Sequence, residues 1–567
     1  MIQMEGCALR NENLRKKQGS ETRYDAVVVG GGMAGLTASA FLAQSEHSVL
    51  LCDQASQLGG LVQSFERDGF VWDAGIRAIE DSGIIFPMLG ALGINVEFLK
   101  SPVSLGIEDH VIPVESRENL EDYQALLEQF YPECREDVRR IVHVIRRVMK
   151  QMDVLYGIEN PLFKDLAHDR TYVLRELLPW LGKFLVTIGR INRMNQPVDE
   201  YLETLTGSRS LIDIISQHFF RKTPTFFALS YFSLYLDYVY PAGGTAALPH
   251  AMESYCIERG VDIRTETKIV QVDPAMHSVT AADGARFTYR KLIWCADLKQ
   301  LYNSVCVDGL SQHVQQKIQE RSALVNASSG GDSVFTLYLP VTMKPQWFAE
   351  RSNGHFFYTP SRRGVGADLY AILDELLRSG SETEGSSLRT KALAWARQYA
   401  KSTTYEISIP VLKDPSLAPA GSTGLIVSVL LDYGLCAAAR NHGWYEDLKG
   451  ILQEALIETL EETVYPGICA EIRDPFSSTP LTIEAAAGSS EGAITGWAFT
   501  NPVMPAVHRM QHSARAVLTP IPDVLQAGQW SFSPSGLPIA ILTGKLAADR
   551  VARGLRWMRK GRRGTRS

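Results

Sequence analysis

Two short, uninterrupted apolar runs stand near the start of the chain, Ala26 to Val29 and Val49 to Cys52, with a helix-like stretch, Ala34 to Ala43, between them. Runs of four without polar alternation fit strands buried on both faces, and strand–helix–strand at this spacing predicts a βαβ unit. Beyond it, residues 101–234 read as mainly helical. Glu118 to Tyr156 places Val138, Ile141, Val142, Ile145, Val148 and Met149 at helical spacing with charges between them. Leu248 to Ile257 is again apolar-periodic. Val334 to Leu339 and Gly424 to Leu431 carry strand signals, and Trp444 to Val464 predicts an amphipathic helix. A last helix is expected over Pro538 to Ala552. Just before the Gly243-Gly244 turn the chain is rich in rings, among them Phe226, Phe227, Tyr231, Tyr235 and Tyr238. The polar stretch Ser379 to Ser387 reads as a loop.

The βαβ unit carries chemistry. Gly30, Gly32 and Gly35 stand in G-x-G-x-x-G spacing between the first run and the helix, and the second run ends in Asp53. Gly30 permits the tight turn, Gly32 leaves room for a pyrophosphate, and Gly35 lets helix and strand pack closely. Met33 and Ala34 open the helix, whose N-terminal N–H groups and partial positive charge suit phosphate. Asp53 falls twenty-three positions after Gly30, near the spacing of a carboxylate that grips ribose hydroxyls. Glycines, flanking strands and terminal acid together predict a dinucleotide site; the glycines alone would fit an ordinary turn.

Further motifs follow in order: Gln57-Leu58-Gly59-Gly60-Leu61, Arg67-Asp68-Gly69-Phe70-Val71-Trp72-Asp73-Ala74-Gly75, Tyr240-Pro241-Ala242-Gly243-Gly244-Thr245, and Thr267-Lys268-Ile269-Val270-Gln271-Val272. Lys291 to Asp297 and Leu525-Gln526-Ala527-Gly528-Gln529-Trp530 complete the series. The set resembles the flavoproteins of the amine-oxidase and phytoene-desaturase superfamily, with phytoene desaturases, carotenoid isomerases and retinol saturases most similar. Leu61 supports that branch, because amine oxidases and protoporphyrinogen oxidases usually carry Arg directly after the Gly-Gly pair. The resemblance implies an α/β fold: a discontinuous, Rossmann-like FAD-binding domain of glutathione-reductase type with an inserted α+β substrate domain. It implies FAD as cofactor, with Asp53 on the adenosine ribose, the Ile269 backbone at the adenine, and Gly59, Gly60, Leu61, Asp73, Gly75, Gly528, Gln529 and Ile539 beside the cofactor. Gln529 departs from the pattern, which has an acid there, and this puts a direct carboxylate contact in doubt.

Composition supports a large globular enzyme. The 567 residues exceed one simple core, 45% are hydrophobic and 21% charged, and the net charge of −6 argues against nucleic acid. The eight cysteines are scattered without a C-x-x-C pair, which predicts neither disulfide framework nor metal site and suggests a cytoplasmic setting. No window approaches a membrane span; Leu177 to Ile188 is short and interrupted. Residues 554–567 form a basic tail suited to peripheral contact with anionic lipid. The expected organisation is a flexible 1–22, a cofactor lobe from 23–100, 235–310 and 485–553, and a substrate lid from 101–234 and 311–484.

Three rival motifs fail. Gly488-Ser489-Ser490-Glu491-Gly492 matches a nucleophile elbow, but no acid-then-His order follows it. His508 and His512 lack the Glu of H-E-x-x-H, since Arg509 stands there. Gly364-Val365-Gly366 lacks a third glycine. The expected function is an FAD-dependent oxidoreductase acting on carbon–carbon bonds of a lipophilic polyene or isoprenoid. Desaturation, saturation and cis–trans isomerisation stay open. The alternatives are a flavin amine oxidase and a flavin-free prenyl-binding protein of the same fold. Asp237, set among aromatics, is a candidate proton donor.

Overall fold

The structure, a computed structural model, describes residues 23–379 and 385–564. The expected flexible segment 1–22, the centre of the 379–387 stretch and the last residues of the basic tail lie outside the described residues.

The first sheet is the βαβ unit extended. Strands Asp262–Arg264, Val49–Cys52, Arg23–Val29 and Arg286–Trp294 lie parallel in that order. Val524–Gln526 joins parallel to the end of Arg286–Trp294, while Ser278–Ala281 and Ile269–Asp273 add an antiparallel pair along its beginning. Ala26, Val27 and Val28 are fully buried because helices cover one face and a second apolar layer the other. Helix Met33–Gln44 is buried from Met33 to Ala43. Its small residues let the C-terminal helix Leu537–Gly564 approach so closely that a Cβ on Gly544 would stand 2.4 Å from the Ala34 carbonyl oxygen. That last helix runs well past the expected Ala552, into the basic stretch.

The second sheet has the order Phe476–Ser478, Ser333–Val341, Thr423–Leu431, Tyr405–Ser408, His355–Thr359, Val103–Ile107, His110–Val114. All pairings are antiparallel except that of His355–Thr359 with Val103–Ile107. The hairpin Val103–Val114 corrects the mainly helical reading of 101–234: its place is set by a parallel partner some 250 residues away, which no local periodicity reports. Side chains alternate across each strand. Phe335, Leu337, Val427, Val429, Tyr405, Ile407, Phe356 and Tyr358 pack beneath helices Gly366–Ser379, Gly385–Ala400 and Tyr445–Glu462. Thr336, Ser428, Glu406, Ser408 and His355 therefore point the other way, towards the first sheet.

Helices fill the remaining space. The long periodic stretch is two helices, Asn119–Phe130 and Arg135–Leu155, broken at Tyr131-Pro132. Leu178–Ile191 and the aromatic Thr225–Tyr235 complete this layer. Among the described residues, no helix is long and apolar enough to cross a membrane.

Candidate active site

Between the two sheets runs one cavity of about 1060 Å³. Its first end is made by the βαβ turn. Gly30 sits at φ +103°, and a Cβ there would meet the Cys295–Ala296 backbone at 2.7 Å, so only glycine fits. Gly32, at φ −69°, caps the helix without a side-chain hydrogen bond, and no acid stands in the first turn. The unpaired N–H groups of that turn are thus left for an anion. Gly59 and Gly60 face it: the Gly59 N–H donates to the Gly31 carbonyl at 2.9 Å, and Gly60 leaves the Cα of Gly32 uncovered. Asp53 closes this end, accepting from the Gly31 N–H at 2.5 Å and the Ala55 N–H at 2.7 Å; burial raises its carboxyl, and these two bonds oppose that. The Thr267 N–H binds the Asp53 carbonyl at 2.7 Å, which brings Ile269 to the same wall.

These are the features a flavin dinucleotide requires: a bare helix terminus for its pyrophosphate, a cradle that a Cβ on Gly32 would begin to fill, and a carboxylate for a ribose. The residues present fit the group. Gly30, Gly32, Met33, Ala34, Asp53, Gly59, Gly60, Leu61, Gly75, Ile269, Gly528, Gln529 and Ile539 all line the cavity. Two expected residues do not. Gly35 packs instead, with a notional Cβ 1.8 Å from the Gly30 carbonyl oxygen. Asp73 is fully buried and holds a turn, accepting from the Tyr240 hydroxyl (2.8 Å), the Thr245 hydroxyl (2.9 Å), the Thr245 N–H (3.1 Å) and Ser64 (3.1 Å). Its oxygens are engaged by protein, which corrects its placement beside the cofactor. Gln529 lines the cavity but directs its amide nitrogen to Ser489 and the Ala493 carbonyl. Asp237 is exposed at the end of the aromatic helix and does not line the cavity. Ser490 donates its backbone N–H to Asp297 in a short turn beside the cavity, and Glu491 pairs with Lys299 at 2.5 Å.

The far end is apolar and aromatic. Phe226, Phe227, Tyr231 and Tyr238 face the cavity, whereas Phe219, Phe232 and Tyr235 belong to the helical core. Trp180 and Phe184, stacked at 4.5 Å, line it from helix Leu178–Ile191. The opposite face of that helix leaves Leu178, Leu181, Leu185 and Val186 exposed.

A polar wall interrupts this chamber, and sequence reasoning missed it. Arg77, 5% exposed, donates to Glu406 (3.2 Å), Thr336 (3.2 Å) and Ser428 (2.7 Å). Lys413 donates to the Arg77 carbonyl (2.7 Å) and Ser408 (2.8 Å). Burial alone would raise Glu406, but Arg77, His355 and Lys413 outweigh it and hold the carboxyl at about 2. Burial lowers Lys413 to about 8 against the pull of Asp73 and Glu406. His355 lies with Nε2 3.3 Å from a Glu406 oxygen, and burial lowers it, keeping the ring neutral. Glu80, on the short strand Ile79–Glu80, also lines the cavity, and burial followed by repulsion from Asp81 pushes it up to about 7. The available signal was a charge or histidine inside otherwise apolar strands, as in Tyr405-Glu406-Ile407-Ser408.

Comparison with known proteins agrees with this geometry. The chain is 23% identical to the all-trans-retinol 13,14-reductase of Danio rerio over 523 residues, covering 83% of this chain and 77% of that protein. It is 22% identical to the chloroplastic prolycopene isomerase of Arabidopsis thaliana over 505 residues (82% and 73%) and 23% to the lycopene-forming phytoene desaturase of Pseudescherichia vulneris over 488 (82% and 88%). Among solved structures, an oxidoreductase from Methanosarcina mazei superposes with a TM-score of 0.56 at 12% identity, covering 94% of this chain and all of the other. Putrescine oxidase bound to putrescine gives 0.55 at 13%, covering 93% and 99%. Both share the fold. The profile described as flavin containing amine oxidoreductase matches residues 33–352. With the glycine cradle, the discontinuous Rossmann-like sheet and that match in hand, the chain belongs to the flavin-containing amine oxidoreductase family and is a flavin-dependent oxidoreductase.

Proposed function

We propose that the protein is an FAD-dependent oxidoreductase that desaturates, saturates or isomerises carbon–carbon bonds of a lipophilic polyene or isoprenoid through hydride transfer at flavin N5. The observation that carries this reading is the continuity of one cavity from the Gly32–Asp53 cradle to the aromatic chamber. Helix Met33–Gln44 would hold the pyrophosphate, Asp53 a ribose and the Ile269 backbone the adenine. Leu61, Gly75, Gly528, Gln529 and Ile539 would lie along the remainder. When bound, the flavin supplies a two-electron donor or acceptor at N5. The chain does the rest. Phe226, Phe227, Tyr231 and Trp180 exclude water and align an apolar substrate that offers nothing to hydrogen-bond. Glu80, raised to about 7, holds or releases a proton at its carboxyl oxygen near neutral pH.

The substrate reaches this chamber from a bilayer surface. Support comes from helix Leu178–Ile191, which lines the cavity with Trp180 and Phe184 and exposes leucines beside Lys183 and Arg190. Flotation with anionic vesicles tests it: Leu178→Ser with Leu185→Ser should cut bound protein about tenfold, and unchanged binding refutes it.

Anaerobic bleaching of the flavin-loaded enzyme against polyenes, isoprenoids, sterols, unsaturated fatty acids and amines, with product analysis, tests the function. A polyene or isoprenoid should change the flavin spectrum or emerge altered. Bleaching by amines alone would overturn the reading.

A further inference from the structure

The polar wall is built where a hydrocarbon substrate would gain nothing from it. His355 is 1% exposed and lines the cavity, yet neither ring nitrogen finds a hydrogen-bond partner among the described residues; its Nε2 lies near Glu406 without the alignment of a bond. Arg77 Nε is likewise unpaired. Buried polar atoms are nearly always satisfied, by protein, water or ligand. Around His355 the ring of Tyr238 stands 5.2 Å away, centroid to centroid, and Tyr238 is the cross-strand partner of Glu80. Glu80 and Tyr238, paired in a separate three-stranded sheet, thus bring a polar strip to an apolar cavity together with His355, Glu406 and Arg77.

Resting on the proposed oxidoreductase reading, we infer that His355 and this strip bind a hydroxyl group carried at one end of the isoprenoid substrate. The charges select the group. A neutral imidazole offers one donor and one acceptor, and a hydroxyl answers both. A charged end group gains less, because Glu406 and Arg77 already neutralise each other and a carboxylate or an ammonium would have to displace a formed ion pair. A methyl end would leave the buried ring unpaired, and the loss of a buried partner is the costly case.

The test is equilibrium binding to the full-length, flavin-loaded protein, read by the absorbance shift of the polyene. One conjugated skeleton is used with its end group a methyl, a hydroxyl, a carboxylate or an amine. The alcohol should bind at least about tenfold more tightly than the other three. His355→Phe should erase the preference for alcohol over hydrocarbon while flavin absorbance and melting stay unchanged, and His355→Asn, which keeps hydrogen-bonding groups, should restore part of it. Equal affinity for hydrocarbon and alcohol, tighter binding of carboxylate or amine, or a preference that survives His355→Phe would each overturn the inference. Binding of the hydrocarbon alone sinks this inference and leaves the oxidoreductase reading standing. If no member of the series binds, both fall.

Discussion

Gly32 and His355 face one cavity from opposite sheets and serve it in opposite ways. The first-sheet wall works through backbone: absent side chains, a bare helix terminus and N–H groups held by the strand–turn–helix geometry. The second-sheet wall works through side chains gathered from three separate parts of the chain, Arg77, His355 and the Glu406–Lys413 segment; Arg77 pairs with Glu406, while both ring nitrogens of His355 are left without a hydrogen bond among the described residues. The first is a shape that any sequence with the right glycines reproduces. The second is an electrostatic arrangement assembled by tertiary packing, and removing one partner of it is costly where the charges are desolvated.

The sharpest break lies inside the glycine wall. Gly35→Ala places a Cβ 1.8 Å from a carbonyl oxygen, and no side-chain adjustment relieves a backbone clash, so the variant should fail to fold and appear in the insoluble fraction. Gly32→Val has an ordinary φ and 3.8 Å to its nearest neighbour, so the fold should persist while the cradle fills. Flavin affinity should drop at least about a thousandfold, or about 4 kcal/mol, seen as a colourless protein with an intact circular-dichroism melt. A yellow Gly32→Val protein would remove the basis for the cofactor's placement.

On the opposite wall, Arg77→Met leaves the part-buried Glu406 without its main counter-charge and should cost up to about 3 kcal/mol of stability. Adding Glu406→Gln should recover much of it, because a buried ion pair removed whole is far less costly than one broken. The pH dependence gives the sign. Glu406 is held down from 4.5 to about 2, so its contribution is present above pH 4.5 and fades as the pH falls through 2. The gap between wild type and Arg77→Met should therefore be widest near neutral pH and narrow in acid. A constant gap would place the lost stability in packing.

These walls also mark what a sequence discloses. The strand–turn–helix at Gly30 and Gly35 is legible because a tight turn packed against backbone admits only glycine at fixed local spacing. The strands Arg23–Val29 and Thr423–Leu431 were legible from their apolar runs. Asp73 was read as a cofactor neighbour from its motif, yet its carboxylate ties Tyr240 and Thr245, contacts 167 and 172 residues away. The polar strip stayed hidden for the same reason. Glu406 and His355 alternate with apolar residues as solvent-facing positions do, and only the packing of one sheet over the other turns that face inward. The hairpin Val103–Val114 was lost to the helical reading because its defining partner, His355–Thr359, is remote in sequence.

Glu80 lines the same cavity from a third, smaller sheet and gives the smallest and most specific effect. Its carboxyl is lifted from 4.5 to about 7 by burial and then by Asp81, so its favourable contribution is complete below pH 4.5 and is lost as the pH rises through 7. Across that window the wild type should lose at most about 3 kcal/mol that Glu80→Gln, which never ionises, retains. Melts of the flavin-loaded proteins should coincide near pH 4.5, and the variant should be the more stable at pH 8. The proton role adds a second readout: anaerobic flavin bleaching by an accepted polyene should titrate near pH 7 in the wild type and lose that step in Glu80→Gln. If the melts diverge as stated but the bleaching profile is unchanged, Glu80 is a buried acid without a part in the chemistry, and the proton must enter the chamber elsewhere along the strip that ends at His355.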